Sequence, residues 1–316
     1  MNEYHIYIRL IYCIPSCILY VFVLIALLKE RRGVSGRFYS LLMVQAVLNV
    51  LVFINSLYTI QIASITNENS WWAGIFNRSP LRITSILHCF TWHFAFVQNY
   101  MSFFVSLYRM TAITFPTLHV RIWKYALPGS VAVTLLTPFL SVYPVLIGLS
   151  WFRIDKVTGY FDIITSTNMR GILKDLFIFL TVLLIATSIV NGISAVLLFK
   201  RSKRYRDKAE RNMTILAFLD FLVQATFYAL YAVIYNRADH TGTSDFLVPY
   251  ASDVVTFSNA YLLVILNKKI RRRILLLVKC REKPPEPVVL VTPFPLAFVD
   301  VSAGSMQKLS STTARN

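Results

Sequence analysis

Residues 81–116 read L-R-I-T-S-I-L-H-C-F-T-W-H-F-A-F-V-Q-N-Y-M-S-F-F-V-S-L-Y-R-M-T-A-I-T-F-P. A bilayer-crossing helix needs about 20 mostly apolar residues, and this run exceeds that length, with Arg82 at one edge and Arg109 and Pro116 at the other. An arginine followed by a proline suits a cytoplasmic membrane boundary. His88, His93, Gln98 and Asn99 interrupt the outer and middle parts of the run. We read it as the third of seven spanning helices, the one around which the others are arranged.

The rest of the chain supports a membrane reading. Hydrophobic residues make up 56% of the sequence and charged residues only 15%, against roughly 25% charged in soluble domains. Seven runs reach spanning length with little internal charge: 8–28, 38–65, 81–113, 125–149, 172–199, 213–235 and 246–266. The first is too long, and too poorly preceded by basic residues, to be a cleaved signal peptide. The expected fold is therefore all-α, a seven-transmembrane-helix bundle over residues 1–280. Residues 281–316, rich in proline and then in serine and threonine, form an expected disordered cytoplasmic tail.

Of the 32 Lys and Arg residues, 24 fall in the segments that one alternating topology places on a single side, namely 29–37, 109–124, 200–211 and 267–316. Cytoplasmic loops carry the basic excess, so the N-terminus is expected outside and the tail inside. The net charge of +17 is then mostly a topogenic signal. Nucleic-acid binding, which a basic chain can suggest, does not suit one this apolar. No nucleophile motif, phosphate loop or metal-ligand spacing points to an enzyme, a metal or a cofactor.

Four cysteines are present: Cys13 and Cys17 in the first run, Cys89 in the third, and Cys280 past the seventh. The second outer loop, 150–171, contains none, so no disulfide can join it to the third helix. Cys280 follows K-K-I-R-R-R-I-L-L-L-V-K, a basic amphipathic stretch that suits a short helix lying on membrane lipids after the seventh span, with Cys280 as its lipidation candidate. Asn77, in N-R-S, is a glycosylation candidate in the first outer loop. The sequon at Asn212 falls at the cytosolic base of the sixth span. Tail residues such as Ser310 and Thr312 are candidate phosphorylation sites for recruiting a desensitising, arrestin-like protein.

In order along the chain stand Y-C-I-P-S (12–16), F-Y-S-L-L-M-V-Q-A-V-L-N (38–49), Y-R-M-T-A-I-T-F-P (108–116), Trp123 and L-L-V-I-L-N-K-K-I-R (262–271). With this order and spacing the sequence resembles the nematode serpentine chemoreceptors of the class gamma superfamily, class gamma or class V, over roughly residues 8–280. The resemblance implies a G-protein-coupled receptor at the plasma membrane of sensory-neuron cilia. Its expected partners are a small extracellular ligand, an odorant or pheromone, and a heterotrimeric G protein.

Arg109 occupies the place of the arginine in the D-R-Y motif of rhodopsin-like receptors, and Pro116 follows at their spacing, although Tyr108 replaces the acid. Glu210, at the start of the sixth helix, is the expected partner that ties helices three and six in the resting state. A carboxylate inside a span costs about 2.5–3.5 kcal/mol and so marks a cavity or a polar partner. On that ground Asp220, near the cytosolic end of helix six, is assigned to the switch. Asp253, near the outer end of helix seven, is assigned to the ligand pocket. His88 and Gln98, ten residues apart and roughly a quarter turn around the axis from each other, join Asp253 as pocket candidates, whereas His93 points roughly 140° from His88. Helix seven reads S-N-A-Y where rhodopsin-like receptors carry a proline motif, which leaves Asn259 and Tyr261 to serve in the switch. A transporter or a ligand-gated channel subunit is the alternative, but no inverted repeat is evident and the charge distribution opposes a channel with its N-terminus inside.

Overall fold

The computed structural model describes residues 4–30, 36–156, 158–201, 208–236 and 243–278. Helix α1 (Tyr4–Glu30) is followed by α2 (Gly36–Ser56), which continues through a π-helical turn (Leu57–Ile62) and a 3₁₀ turn (Ala63–Ile65). A short α3 (Ala73–Asn77) precedes α4 (Leu81–Thr114). Next come α5 (Pro116–Leu136) and α6 (Pro138–Ile147), strands β1 (Ser150–Ile154) and β2 (Phe161–Thr165), and the helices α7 (Met169–Arg201), α8 (Lys208–Asn236), α9 (Thr243–Leu266) and α10 (Lys268–Val278).

Every expected span falls on a helix, with two departures. The fourth begins at Pro116 rather than in the 120s, so only Phe115 separates α4 from α5. A proline at the first helical position lacks only an N–H that would go unbonded there, and its ring presets the helical φ. The same span is broken at Thr137, where Pro138 starts α6. A proline inside a helix removes a donor and forces a kink.

Among the described residues, five helical stretches are long and apolar enough to cross a membrane: Ile11–Glu30, Gly36–Ile65, Pro116–Ile147, Met169–Lys200 and Arg211–Leu230. A shorter apolar stretch, Tyr250–Leu266, lies in α9. The run quoted at the outset, α4, is not among the five, because its polar residues dilute it. The reason lies in its surroundings. Helix α4 packs against α2, α5, α6, α7 and α8, and no residue from Leu87 to Thr114 is exposed. Helix α7 is the opposite case, exposing Ile178, Val182, Ile185, Ile189, Ile193 and Val196 at three- and four-residue spacing. That stripe of large aliphatic side chains, facing away from the other helices, is the surface a lipid-facing helix presents.

The segment between α6 and α7, expected as a loop, forms an antiparallel hairpin that pairs Ser150 with Thr165 and Ile154 with Phe161. Asn67 bridges to Tyr160 and adds the end of the α2 extension to this hairpin. Phe76, Phe161 and Ala63 form its buried cluster, with Phe152 and Tyr58 packed beside them.

The amphipathic stretch after the seventh run is helical, as expected. Asn267 Oδ1 accepts from the Lys269 and Ile270 backbone N–H groups, capping α10, whose Ile270 and Ile274 are buried. Arg273 pairs with Glu30 of α1 at 2.8 Å. Cys280 and the tail from 281 lie outside the described residues.

Candidate functional site

Between α2, α4, α8 and α9 lies a cavity of about 70 Å³. Its lining includes Val52, Asn55, Thr91, Phe94, Gln98, Gln224 and Ser252. Gln98 was singled out in the sequence as a pocket residue, and it reaches this cavity from the middle of α4. Its Nε2 donates both to Asn49 Oδ1 at 3.2 Å and to Thr256 Oγ1 at 3.1 Å. Asn49 Nδ2 in turn donates to Tyr20 Oη and to the Thr256 carbonyl, which Tyr20 also engages. One polar layer therefore ties α1, α2, α4 and α9 together beside the cavity. In an apolar medium helices gain nothing from burying leucine against leucine, so such interhelical bonds and close packing carry association.

A second network starts from Gln224, which also lines the cavity. Its amide donates to Ser102 Oγ, and Ser102 donates to Asp220 Oδ2. Asp220 is 6% exposed, so its Ser102 partner on α4 replaces water, with Gln45 of α2 nearby. Gln224 was not picked out in the sequence, although its spacing offered a signal: it lies four residues after Asp220, one helical turn along the same face.

Asp253 has different company. Arg9 donates to its Oδ2 from Nε at 3.1 Å and from a terminal nitrogen at 2.8 Å, Tyr12 Oη donates to the same oxygen at 2.7 Å, and Gln61 Nε2 reaches Oδ1 at 3.2 Å. Arg9 and Asp253 are each 4% exposed, so this is an enclosed ion pair joining α1 to α9. Gln61 enters it from the π-helical turn, where the wider helix redirects side chains. In the sequence Arg9 is a lone basic residue at the outer edge of the first run. Its pairing across 244 positions leaves no local pattern to read.

His88 lies at the hairpin. Trp92 Nε1 donates to His88 Nε2 at 3.0 Å, so the neutral ring carries its proton on Nδ1, which faces Ser150 Oγ at 3.1 Å. The Ser150 backbone N–H donates to Ser85 Oγ at 2.8 Å. These bonds fasten the connection between α6 and α7 to α4, the place where a disulfide cannot form. His93 faces elsewhere, as the helical geometry predicted: its Nε2 donates to the Leu135 carbonyl at 2.9 Å, next to the Pro138 break, and its ring lies 4.3 Å from that of Phe139.

At the other end of α4, the Arg109 guanidinium lies 4.2 Å from the ring centre of Phe38. Tyr108 packs on His119 and Trp123, with ring centres 4.4 and 4.8 Å apart, and Trp123 Nε1 donates to Thr111 Oγ1 at 2.8 Å. Pro116 starts the helix that brings Trp123 there. The Glu210 side chain lies outside the described residues. Asn259 is buried in α9, and Tyr261 Oη meets Ser16 Oγ at 2.9 Å, joining α9 to α1. Asn77 ends α3 with its side chain exposed, whereas Asn212 donates to the Leu266 carbonyl at 3.0 Å between α8 and α9.

A family model described as Srg family chemoreceptor matches residues 6–274. The chain is similar to serpentine receptor class gamma-31 of Caenorhabditis elegans, with 22% identity over 280 residues, covering 84% of this chain and 89% of that protein. It is also similar to serpentine receptor class gamma-15 of that nematode, at 26% identity over 84% of each chain, and to class gamma-2, at 21% identity over 86% of this chain and 84% of the other.

Proposed function

This chain belongs to the Srg family of chemoreceptors, multi-pass membrane proteins, and from that premise we propose that it is a seven-span G-protein-coupled receptor for a small extracellular ligand. In this reading α4 and α9 complete the set of spans, the N-terminus is outside, and the receptor works at the plasma membrane of sensory cilia. The basic bias of 24 among 32 Lys and Arg residues supports the orientation. The enclosure of α4 supports its crossing despite its polar residues, since they meet other helices rather than lipid.

The observation that carries the reading is the cavity, because two of its lining residues each begin a polar network. Gln98 leads to the layer across α1, α2 and α9, and Gln224 leads to Ser102 and Asp220 on the way toward the Arg109 end of α4. A ligand in the cavity would press on both amides. Rearrangement of α8 against α4 is then the step that opens a G-protein site beside Arg109, a switch between discrete packings. Release of Arg109 from Glu210 belongs to the same step.

A calcium-response screen of odorants and pheromones in cells expressing the chain with a promiscuous G protein tests this reading. Arg109→Ala is expected to abolish the response to any agonist found, at a surface level matched by biotinylation. A normal response from Arg109→Ala at equal surface level overturns the assigned coupling role.

A further inference from the structure

We infer that the cavity between α2, α4, α8 and α9 selects a small, uncharged molecule carrying a hydrogen-bond donor, a short-chain alcohol, whose hydroxyl is bound by Asn55 Oδ1. The inference rests on the receptor reading and goes further by giving the ligand's chemistry.

Among the described residues, none that lines the cavity is charged. The nearby ion pair is internally closed, since Asp253 accepts from Arg9, Tyr12 and Gln61, and Asp220 accepts from Ser102. A carboxylate or ammonium entering this space would lose its hydration without meeting an opposite charge, a cost no neutral contact offsets.

The choice of a donor follows from the directions of the bonds already made. Thr91 Oγ1 donates to the Leu87 carbonyl at 3.1 Å, so it can only accept from Asn55, whose Nδ2 lies 2.9 Å away. That fixes the orientation of the Asn55 amide, because an oxygen turned toward Thr91 would find no proton there. Asn55 Oδ1 is then a buried acceptor with no partner among the described residues, on a side chain in a residue 8% exposed. A buried carbonyl left unbonded is destabilising, and a donor from the ligand would satisfy it. The other amides of the lining agree. Gln98 spends both amide hydrogens on Asn49 and Thr256, Asn99 donates to the Ala95 carbonyl at 2.7 Å, and Gln224 donates to Ser102. What these amides leave for the cavity is weighted toward carbonyl oxygens. Val52, Ile60, Phe94, Phe227 and Val255 supply the apolar remainder. A volume of about 70 Å³ suits a short-chain molecule of a few carbons.

The test is binding to purified full-length receptor in nanodiscs, read by thermal shift and so independent of any G protein. Short-chain alcohols of about two to four carbons are compared with ethers and carboxylates of equal size. Saturable stabilisation by the alcohols, roughly tenfold weaker for the ethers and absent for the carboxylates, is expected. Asn55→Leu should lower alcohol affinity by a similar factor, and Ala95→Leu, which adds bulk to the lining from α4, should abolish binding. Failure of every such alcohol to bind, equal binding of ethers or carboxylates, or unchanged alcohol affinity in either variant overturns the inference. Binding in this pattern with no signalling in cells would leave the inference standing and count against the receptor reading instead.

Discussion

Helices α4 and α7 are nearly equal in length, at 34 and 33 residues, and they pack on each other, yet they solve opposite problems. Helix α7 presents isoleucines and valines outward and so reads as a membrane helix in any hydropathy window. Helix α4 is enclosed, carries two histidines, a glutamine, an asparagine and several serines and threonines, and fails the same reading. Apolarity thus marks the helix with an open outer face, whereas polar residues accumulate on the helix enclosed from Leu87 to Thr114. The candidate site follows the second class, since α4 contributes to the cavity, both polar networks, the hairpin anchor and the Arg109 end.

Placing a charge on the outward stripe should break the α7 side of this contrast with the largest effect. Ile185→Lys sets an ammonium in the hydrocarbon at a cost of about 2.5–3.5 kcal/mol, so surface biotinylation should fall to a small fraction of wild type. An unchanged surface level would mean that this face of α7 does not meet lipid. The α4 side is subtler. Gln98→Leu makes α4 more apolar and should not harm insertion, but it removes two interhelical bonds worth on average about 0.6 kcal/mol each. Surface expression near wild type, with a melting temperature a few degrees lower in detergent, is expected. A higher melting temperature would show that the layer through Asn49 and Thr256 does not hold the helices together.

Because a spanning segment is a local property of the chain, hydropathy and length revealed the helices to within a few residues, except at the start of the fourth span, which lies at Pro116 and not at Tyr125. The hairpin was hidden. Its strands are five residues each, S-W-F-R-I and F-D-I-I-T, without clean alternation, and the turn signal at Gly159, where φ is +74°, is a single residue. Of the candidate residues, Gln98 was legible as a cavity residue because a polar side chain in the middle of an apolar run must find a polar or open neighbour. Asp253 and Asp220 were legible as residues needing partners. The partners themselves, Arg9 for one and Ser102 for the other, were not, since they come from helices far apart in sequence. His88 and Gln98 shared a helical face on geometric grounds, but two and three-quarter turns of separation put one at the hairpin and the other in the middle of the bundle.

The enclosed, membrane-crossing placement of α4 is the claim on which the rest depends, and single-cysteine labelling tests it most directly. In a background with Cys13, Cys17, Cys89 and Cys280 replaced by alanine, Arg78→Cys and Arg121→Cys each place one thiol at an exposed position, before and after α4 respectively. A membrane-impermeant maleimide on intact cells is predicted to label position 78 and to label position 121 only after permeabilisation. Labelling of both positions from outside would mean that α4 does not cross the membrane and would contradict the account.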